Sequence, residues 1–318
     1  MDLVEINNLT TCYPTESGEV KAVDGVSLGI RRNETLGLVG ESGCGKSTLA
    51  LSILKLVPLG TKISGNVLYQ GKDLVQMNDS ELSRIRWKKI SLVHQGAMSA
   101  FNPLQRCKDQ VAEAILIHEN SSKSEAQARA TELLRMMGID SQSVDKYPHE
   151  LSGGMKQRAM IAMSIACNPE LVIADEPTTA LDVIMQDQVL SIMQNLQRKL
   201  GLSILFVSHS LMTVGDICSR IAVMYAGKLV ELADATSIFK HSYHPYTQGL
   251  MASNPRIRMS KDEKFEWSSI TGEPPSLSRP PAGCRFHPRC PYCQDVCKRE
   301  ETRMREIENG HYVACHIA

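Results

Sequence analysis

The segment LGLVGESGCGKSTLALSIL, positions 36–54, carries residue types whose spacing suits the binding of a polyphosphate. Gly40, Gly45, Lys46 and Ser47 satisfy G-x-x-x-x-G-K-[ST] between an apolar strand and a helix. Glycines let the backbone wrap with its N–H groups inward, where a helix N-terminus adds its own donors. Lys46 supplies a cation for the β- and γ-phosphates, and the Ser47 hydroxyl suits Mg²⁺. The stretch expected to touch a nucleotide is Gly40, Ser42, Gly43, Cys44, Gly45, Lys46, Ser47 and Thr48. The helix N-terminus and Lys46 should also lower the Cys44 pKa and make that thiol prone to alkylation, although its native role reads as a small residue that fits.

Further groups complete such a site. In LVIADEP, Asp175 and Glu176 close an apolar run. One carboxylate there can hold Mg²⁺ and its neighbour can act as general base on water. His209 ends the apolar run LFVSH, where it can reach a γ-phosphate. LSGGMKQR, positions 151–158, places Ser152, Gly153 and Gly154 at the start of a helical pattern, which makes an anion cradle. Tyr13 lies between the first strand and VKAVDG, and is the expected stacking surface for adenine.

These residues need a frame. Apolar runs such as ETLGLVG, LVIAD and SILFVSH read as strands buried on both faces, and helical patterns lie between them. A helix is expected from Lys46 to about Val57, stopped by Pro58, another from about Cys107 to Met137, and a third from Met155 to Ala166, closed by Pro169. The alternation predicts an α/β core around a mostly parallel sheet. A helical insertion is expected from about Ala97 to Ser152, or to about 156 at its far limit. After about Phe239 the composition shifts, and GEPPSLSRPPAG reads as a linker or strap.

Five of the ten cysteines, Cys284, Cys290, Cys293, Cys297 and Cys315, follow that strap as C-x5-C-x2-C-x3-C-x17-C. His287, His311 and His316 lie among them. Thiolates at this spacing suit zinc or a [4Fe–4S] cluster, and the residues alone do not choose. Cys12, Cys107, Cys167 and Cys218 read as small apolar residues, and no role is assigned to Trp87 or Trp267.

Lys+Arg and Asp+Glu both number 35, so no overall positive field points to nucleic acid. No apolar run approaches a membrane span and the N-terminus has no secretory pattern, so the chain is expected to fold in the cytosol and meet a membrane only through partners.

Taken together, the motifs resemble the ATP-binding cassettes of ABC transporters. LSGGMKQR looks like their signature, and with it come a Q-loop glutamine (Gln95), a D-loop (Ala180, Leu181, Asp182) and a switch histidine (His209), in the family's order. The resemblance covers about residues 1–240. It implies a P-loop NTPase fold: a RecA-like core, an antiparallel β subdomain and an inserted helical subdomain, followed by a small cysteine-rich extension over 241–318. It also implies ATP held between two cassettes, with Glu176 as general base and His209, Lys46 and Gln95 assisting. Mg²⁺ would sit on Ser47, Gln95 and Asp175, and Ser152, Gly153, Gly154 and Asp182 would serve the partner's nucleotide. Met155 and Ser210 depart from the glutamine and aspartate common at those places.

HSYHPYTQGL and the tail G-C-R-F-H-P-R-C-P are similar to ATPase subunits of dipeptide and oligopeptide importers. That likeness implies a [4Fe–4S] cluster on Cys284, Cys290, Cys297 and Cys315, with zinc as the alternative. It implies a second, non-identical ATPase, two permease subunits and an external peptide-binding protein, at the cytoplasmic face of the inner membrane. Docking to the permease is expected near Gln95 to Pro103. A metal-chelate or other small-solute importer, and a non-transport ATPase with a metal-sensing tail, are the alternatives.

Overall fold

A computed structural model describes residues 2–16, 18–96, 100–253 and 270–318. The chain divides into two compact units, one of Arg31–Glu34 and Gln76–Phe206, the other of Asp2–Ile30, Thr35–Val75 and Val207–Ala318. The expected start of the helical insertion at Ala97, part of the expected docking stretch, and Trp267 lie outside the described residues.

The second unit begins with two long strands, β1 (Asp2–Thr15) and β2 (Gly18–Arg31). After β3 (Thr35–Val39) and α1 (Lys46–Ile53), β4 (Lys62–Tyr69) and β5 (Lys72–Asp73) complete an antiparallel sheet ordered β2-β1-β4-β5. β1 alternates buried and exposed side chains, as a half-solvated sheet requires. β3 is buried throughout, as its unbroken apolar run implies. The first helix stops four residues short of Val57. Lys55 adopts φ 51°, the Lys55 N–H bonds the Ser52 carbonyl at 3.1 Å and the Leu56 N–H bonds that of Leu51 at 2.9 Å. That is a left-handed C-terminal cap built without glycine, so Pro58 is not the terminator.

The first unit holds a short helix α2 (Asp79–Ser83) and strands β6 (Ile90–Val93), β7 (Leu171–Asp175) and β8 (Ser203–Ser208), in the order β8-β7-β6. β6 and β7 run parallel, pairing Ile90 with Leu171 through Val93 with Ala174. Between them come α3 (Cys107–His118), α4 (Lys123–Met136) and α5 (Gly153–Ser164), with α6 (Val183–Leu200) after β7. The helical pattern expected from about Cys107 to Met137 is present as two helices. Ser122 and Glu125 form a reciprocal capping box that starts α4 afresh.

The second unit resumes with α7 (Leu211–Ile217), β9 (Arg220–Tyr225), β10 (Lys228–Asp234), α8 (Ala235–His241) and α9 (Pro245–Ala252). β3 pairs parallel with β9, and β9 antiparallel with β10. Residues 270–283 form no regular helix or strand, as expected of a strap. Beyond it lie α10 (Asp295–Arg299), β11 (Arg305–Glu308) and β12 (His311–Val313). The tail continues the sheet: β12 pairs with β10 through Glu231 with Val313 and Leu232 with Tyr312.

Beneath that edge lies a buried charge. Glu231 is fully buried and accepts from the Tyr243 N–H at 2.7 Å, the His244 N–H at 3.2 Å and the His311 ring at 2.8 Å. Four acceptor positions on a carboxylate make such a cluster tolerable, because each bond offsets part of the desolvation cost. His244 caps α9 by accepting the Tyr246 N–H on Nδ1 at 3.0 Å. Burial lowers its pKa from 6.5 to about 4. The neutral ring is the folded form, whereas the unfolded chain takes up a proton below about 6.5, so stability falls as pH drops from there toward 4. At about pH 5 the loss is expected to be roughly 2 kcal/mol. Melting curves at about pH 7 and pH 5 measure it; His244→Asn, which keeps a capping acceptor, should flatten the difference, and an unchanged slope would refute the assignment.

Candidate functional site

In the second unit, β3 delivers the chain into the phosphate loop and α1 carries it away. Gly45 sits at φ 105°, and a Cβ there would collide with the Ala22 carbonyl oxygen. A Cβ on Gly40 would collide with the Met224 carbonyl oxygen. At Gly43, φ 76°, a Cβ would meet nothing within 4 Å. Two glycines are thus required by close backbone approach and the third by conformation alone, on the open side of the loop.

Lys46 is only 4% exposed, and its ammonium donates to the carbonyls of Gly40 at 2.8 Å and Glu41 at 2.9 Å. The cation is therefore held inside the loop, where the phosphates of a nucleotide would meet it. Tyr13 stands at the rim, its Oη 3.0 Å from the Thr48 hydroxyl in the first turn of α1. His209 is exposed just after β8. The following Ser210 caps α7, accepting the Thr213 N–H at 3.3 Å. Serine serves that cap as well as aspartate does, which explains the departure at this place.

The first unit brings two other expected residues together. The Gln95 amide donates to Glu176 Oε2 at 3.1 Å, and the Thr179 hydroxyl donates to the same oxygen at 2.9 Å. Glu176 takes φ 47°, an uncommon conformation for glutamate that re-aims its side chain as the chain leaves β7. Asp175, 1% exposed, ends that strand. Its carboxylate is an oxygen donor of the kind a hard ion such as Mg²⁺ prefers.

Ser152 is exposed and caps α5, accepting the Met155 N–H at 3.3 Å. Gly154 has no room for a side chain, since its Cβ would lie 2.7 Å from Met185 Sδ. Asp182 caps α6, accepting the Met185 N–H at 2.9 Å. The signature and the D-loop are therefore both helix starts, and both press on Met185.

Two family models match the chain: "ABC transporter" over residues 23–179 and "Oligopeptide/dipeptide transporter, C-terminal region" over 230–297. The "Oligopeptide transport ATP-binding protein OppD" of Bacillus subtilis is 43% identical, covering 98% of this chain and 87% of that protein. The "Dipeptide transport ATP-binding protein DppD" of Caldanaerobacter subterraneus subsp. tengcongensis is 40% identical, covering 99% of this chain and 97% of its own. This chain belongs to the ABC transporter ATP-binding proteins of the oligopeptide/dipeptide family. Among solved structures, a dimeric ATP-binding cassette in a post-hydrolysis state with ADP and Pi superposes with a TM-score of 0.66 at 28% identity, covering 73% of this chain and 98% of that one. The likeness supports the P-loop α/β cassette, and the chain is an ABC ATPase.

The family-specific tail behaves differently from expectation. Among the described residues no three His, Cys, Asp or Glu side chains are placed to hold a metal ion. A zinc ion draws its four ligands to about 2.3 Å of one point, and the tail offers no such point. Neither the [4Fe–4S] nor the zinc expectation finds support in this arrangement. Burial first, and then neighbouring thiols, raise Cys284 and Cys290, the latter to about 11. Burial likewise raises Cys315, which also feels Cys297.

Sequence reasoning missed Glu41, Arg289 and Tyr246. Arg289 donates to Glu41 Oε2 at 2.6 Å and Oε1 at 2.9 Å, and the Glu41 N–H donates to Tyr246 Oη at 2.8 Å. The only available signal was the recurrence of HPYTQG and HPRCP beside a phosphate loop with an acidic second residue.

Cys44 requires a correction. It is 4% exposed, and desolvation raises its pKa, a larger effect than the lowering by Lys46. A helix terminus cannot activate a thiol that water does not reach. Labelling of the folded protein with iodoacetamide, followed by mass spectrometry, should modify Cys44 at least roughly a hundredfold more slowly than in urea. Comparable rates in both states would contradict this placement.

Proposed function

We propose that this ATPase is one energy-supplying subunit of a peptide importer, working with a second, non-identical cassette beneath two permease subunits and fed by an external peptide-binding protein. The observation that carries the ATPase chemistry is the pairing of Gln95 and Thr179 on one oxygen of Glu176. Two donors on that oxygen orient the carboxylate, as a general base requires. The peptide assignment is supported by relatives at about 40% identity over nearly the whole chain.

In this reading the loop N–H groups and Lys46 bind the β- and γ-phosphates, and Tyr13 stacks on adenine. Mg²⁺, held by Ser47, Gln95 and Asp175, would neutralise charge on the phosphates. Glu176 takes the proton of the attacking water, and the bond from the γ-phosphorus to the leaving ADP breaks. His209 stabilises the transferred group. Ser152, Gly153, Gly154 and Asp182 complete the partner's site. Between Gln95 and Pro103 the chain meets the permease; Leu104, next to that stretch, is 85% exposed, and Gln110 braces the loop by bonding Asn102 at 2.9 Å. Among the described residues no helix is long and apolar enough to cross a membrane, which agrees with peripheral attachment at the inner face. The boundary near residue 240 separates the cassette from the family-specific region.

Glu176→Gln should leave ATP binding within about twofold of wild type and cut turnover by at least roughly 10²-fold, because the amide cannot accept the proton. Turnover at the wild-type rate would sink the general-base role. The [4Fe–4S] centre on Cys284, Cys290, Cys297 and Cys315 is a separate proposal. It draws on the match of this region to the oligopeptide/dipeptide transporter C-terminal family, and no catalytic step passes through it. Protein purified without oxygen should carry about four irons per chain; colourless, iron-free protein would remove the cluster.

A further inference from the structure

Glu41 is the second residue of the phosphate loop, and all of its polar groups are engaged. Its carbonyl accepts from Lys46 at 2.9 Å, its N–H donates to Tyr246 Oη at 2.8 Å, and its carboxylate receives both terminal nitrogens of Arg289. Tyr246 belongs to the HPY segment and Arg289 lies in the cysteine-rich tail, so the family-specific region holds the loop at two points. Arg289 is equally committed. Nε donates to the Thr271 carbonyl at 3.0 Å, Nη1 also reaches Tyr225 Oη at 3.3 Å, and Nη2 also reaches the Gly272 carbonyl at 3.0 Å. Five N–H donors thus meet five acceptors, a pattern only a planar guanidinium provides. The side chain is 6% exposed, against 25% for Glu41. Behind it Tyr225, Tyr246 and Phe286 form an aromatic cluster, with Tyr225 and Tyr246 ring centres 4.6 Å apart.

The electrostatics give this arrangement a purpose. A loop that receives triphosphate gains from donors and cations, and a carboxylate two residues from Gly43 opposes that gain. We propose that Arg289 is a positioning residue of the nucleotide site: it neutralises and anchors Glu41, so that the phosphate loop meets ATP without an opposing charge and in a fixed shape. This rests on the reading of the loop as the ATP site. A tail that merely decorated the cassette would have no reason to aim two donors of a buried arginine at one loop carboxylate and fix the other three around it.

The test measures binding of a fluorescent ATP analogue with Mg²⁺ to the purified full chain. Arg289→Ala should raise Kd about tenfold or more, because it leaves a partly buried carboxylate unpaired beside the phosphates. Arg289→Lys should rescue only part, since an ammonium cannot span both oxygens and the Thr271 carbonyl. Adding Glu41→Gln to Arg289→Ala should bring Kd back to within about threefold of wild type, an effect a purely structural staple would not produce. In the assembled transporter the KM for ATP should rise while kcat stays within about twofold. Tyr243→Phe, which loses a tail contact to Glu308 away from the loop, should bind as wild type. Unchanged Kd in a folded Arg289→Ala protein overturns the proposal, as does a double variant no better than the single one. Wild-type protein that fails to bind the analogue overturns the nucleotide-site reading and the clamp with it.

Discussion

A loop that must hold a polyanion has to turn its backbone donors toward one point, and a backbone so turned has no room for side chains on its other face. That constraint governs the second unit. Gly40 and Gly45 press against the carbonyls of Met224 and Ala22, so the loop is gripped between β9 and β2. Gly37, within β3, leaves space for Val214 and lets α7 pack on β3. Each close approach fixes the loop further, and fixed donors act on charge without reorganising. The parallel pairing of β3 with β9 follows from the same need, because it aims the strand end and the helix start at one place.

The residue types proposed to contact phosphate stand out because few sequences combine glycines, lysine and serine at that spacing inside a strand–loop–helix context. The buried strands were readable too, since an apolar run such as LVIAD has no solvent-facing period to confuse. What escaped reading depended on local competition or on distance. Lys55 ends α1 in a left-handed conformation that lysine gives no hint of. The break between α3 and α4 is written in Ser122 and Glu125, yet the apolar period runs across it and masks it. The pairing of Arg289 with Glu41 spans 248 residues, and no periodicity or spacing encodes a contact of that reach. The Cys44 expectation failed for a third reason: sequence shows which charges are near but not whether water is, and desolvation outweighed the lysine.

The tail looks accessory in sequence and proves structural. β12 extends the sheet that carries β10, and the buried Glu231 collects donors from Tyr243, His244 and His311. A buried carboxylate with three bonds fixes register more firmly than apolar contact would, because a one-residue slip leaves charge unpaired. His244 then caps α9, and that cap sets Tyr246 against the loop. The chain of causes runs from a buried acid to a helix start to a hydroxyl on the phosphate loop.

Two helix N-termini in this chain are prepared for an anion, α1 in one unit and α5 in the other. The first turn of a helix leaves four backbone donors without partners inside the helix, and Ser152 satisfies only the one from Met155. Gly153 and Gly154 add no side chain that could shield the remainder, and a Cβ on Gly154 would have to displace the Met185 side chain. A polyphosphate bound at the phosphate loop exposes its γ-end to whatever faces that loop. A second cassette facing it with an α5 start would supply donors to the very group that is transferred to water, and the same logic holds with the roles exchanged. In the proposed pair each cassette would need the other to surround one nucleotide, and closure of the pair would be the event that ATP controls.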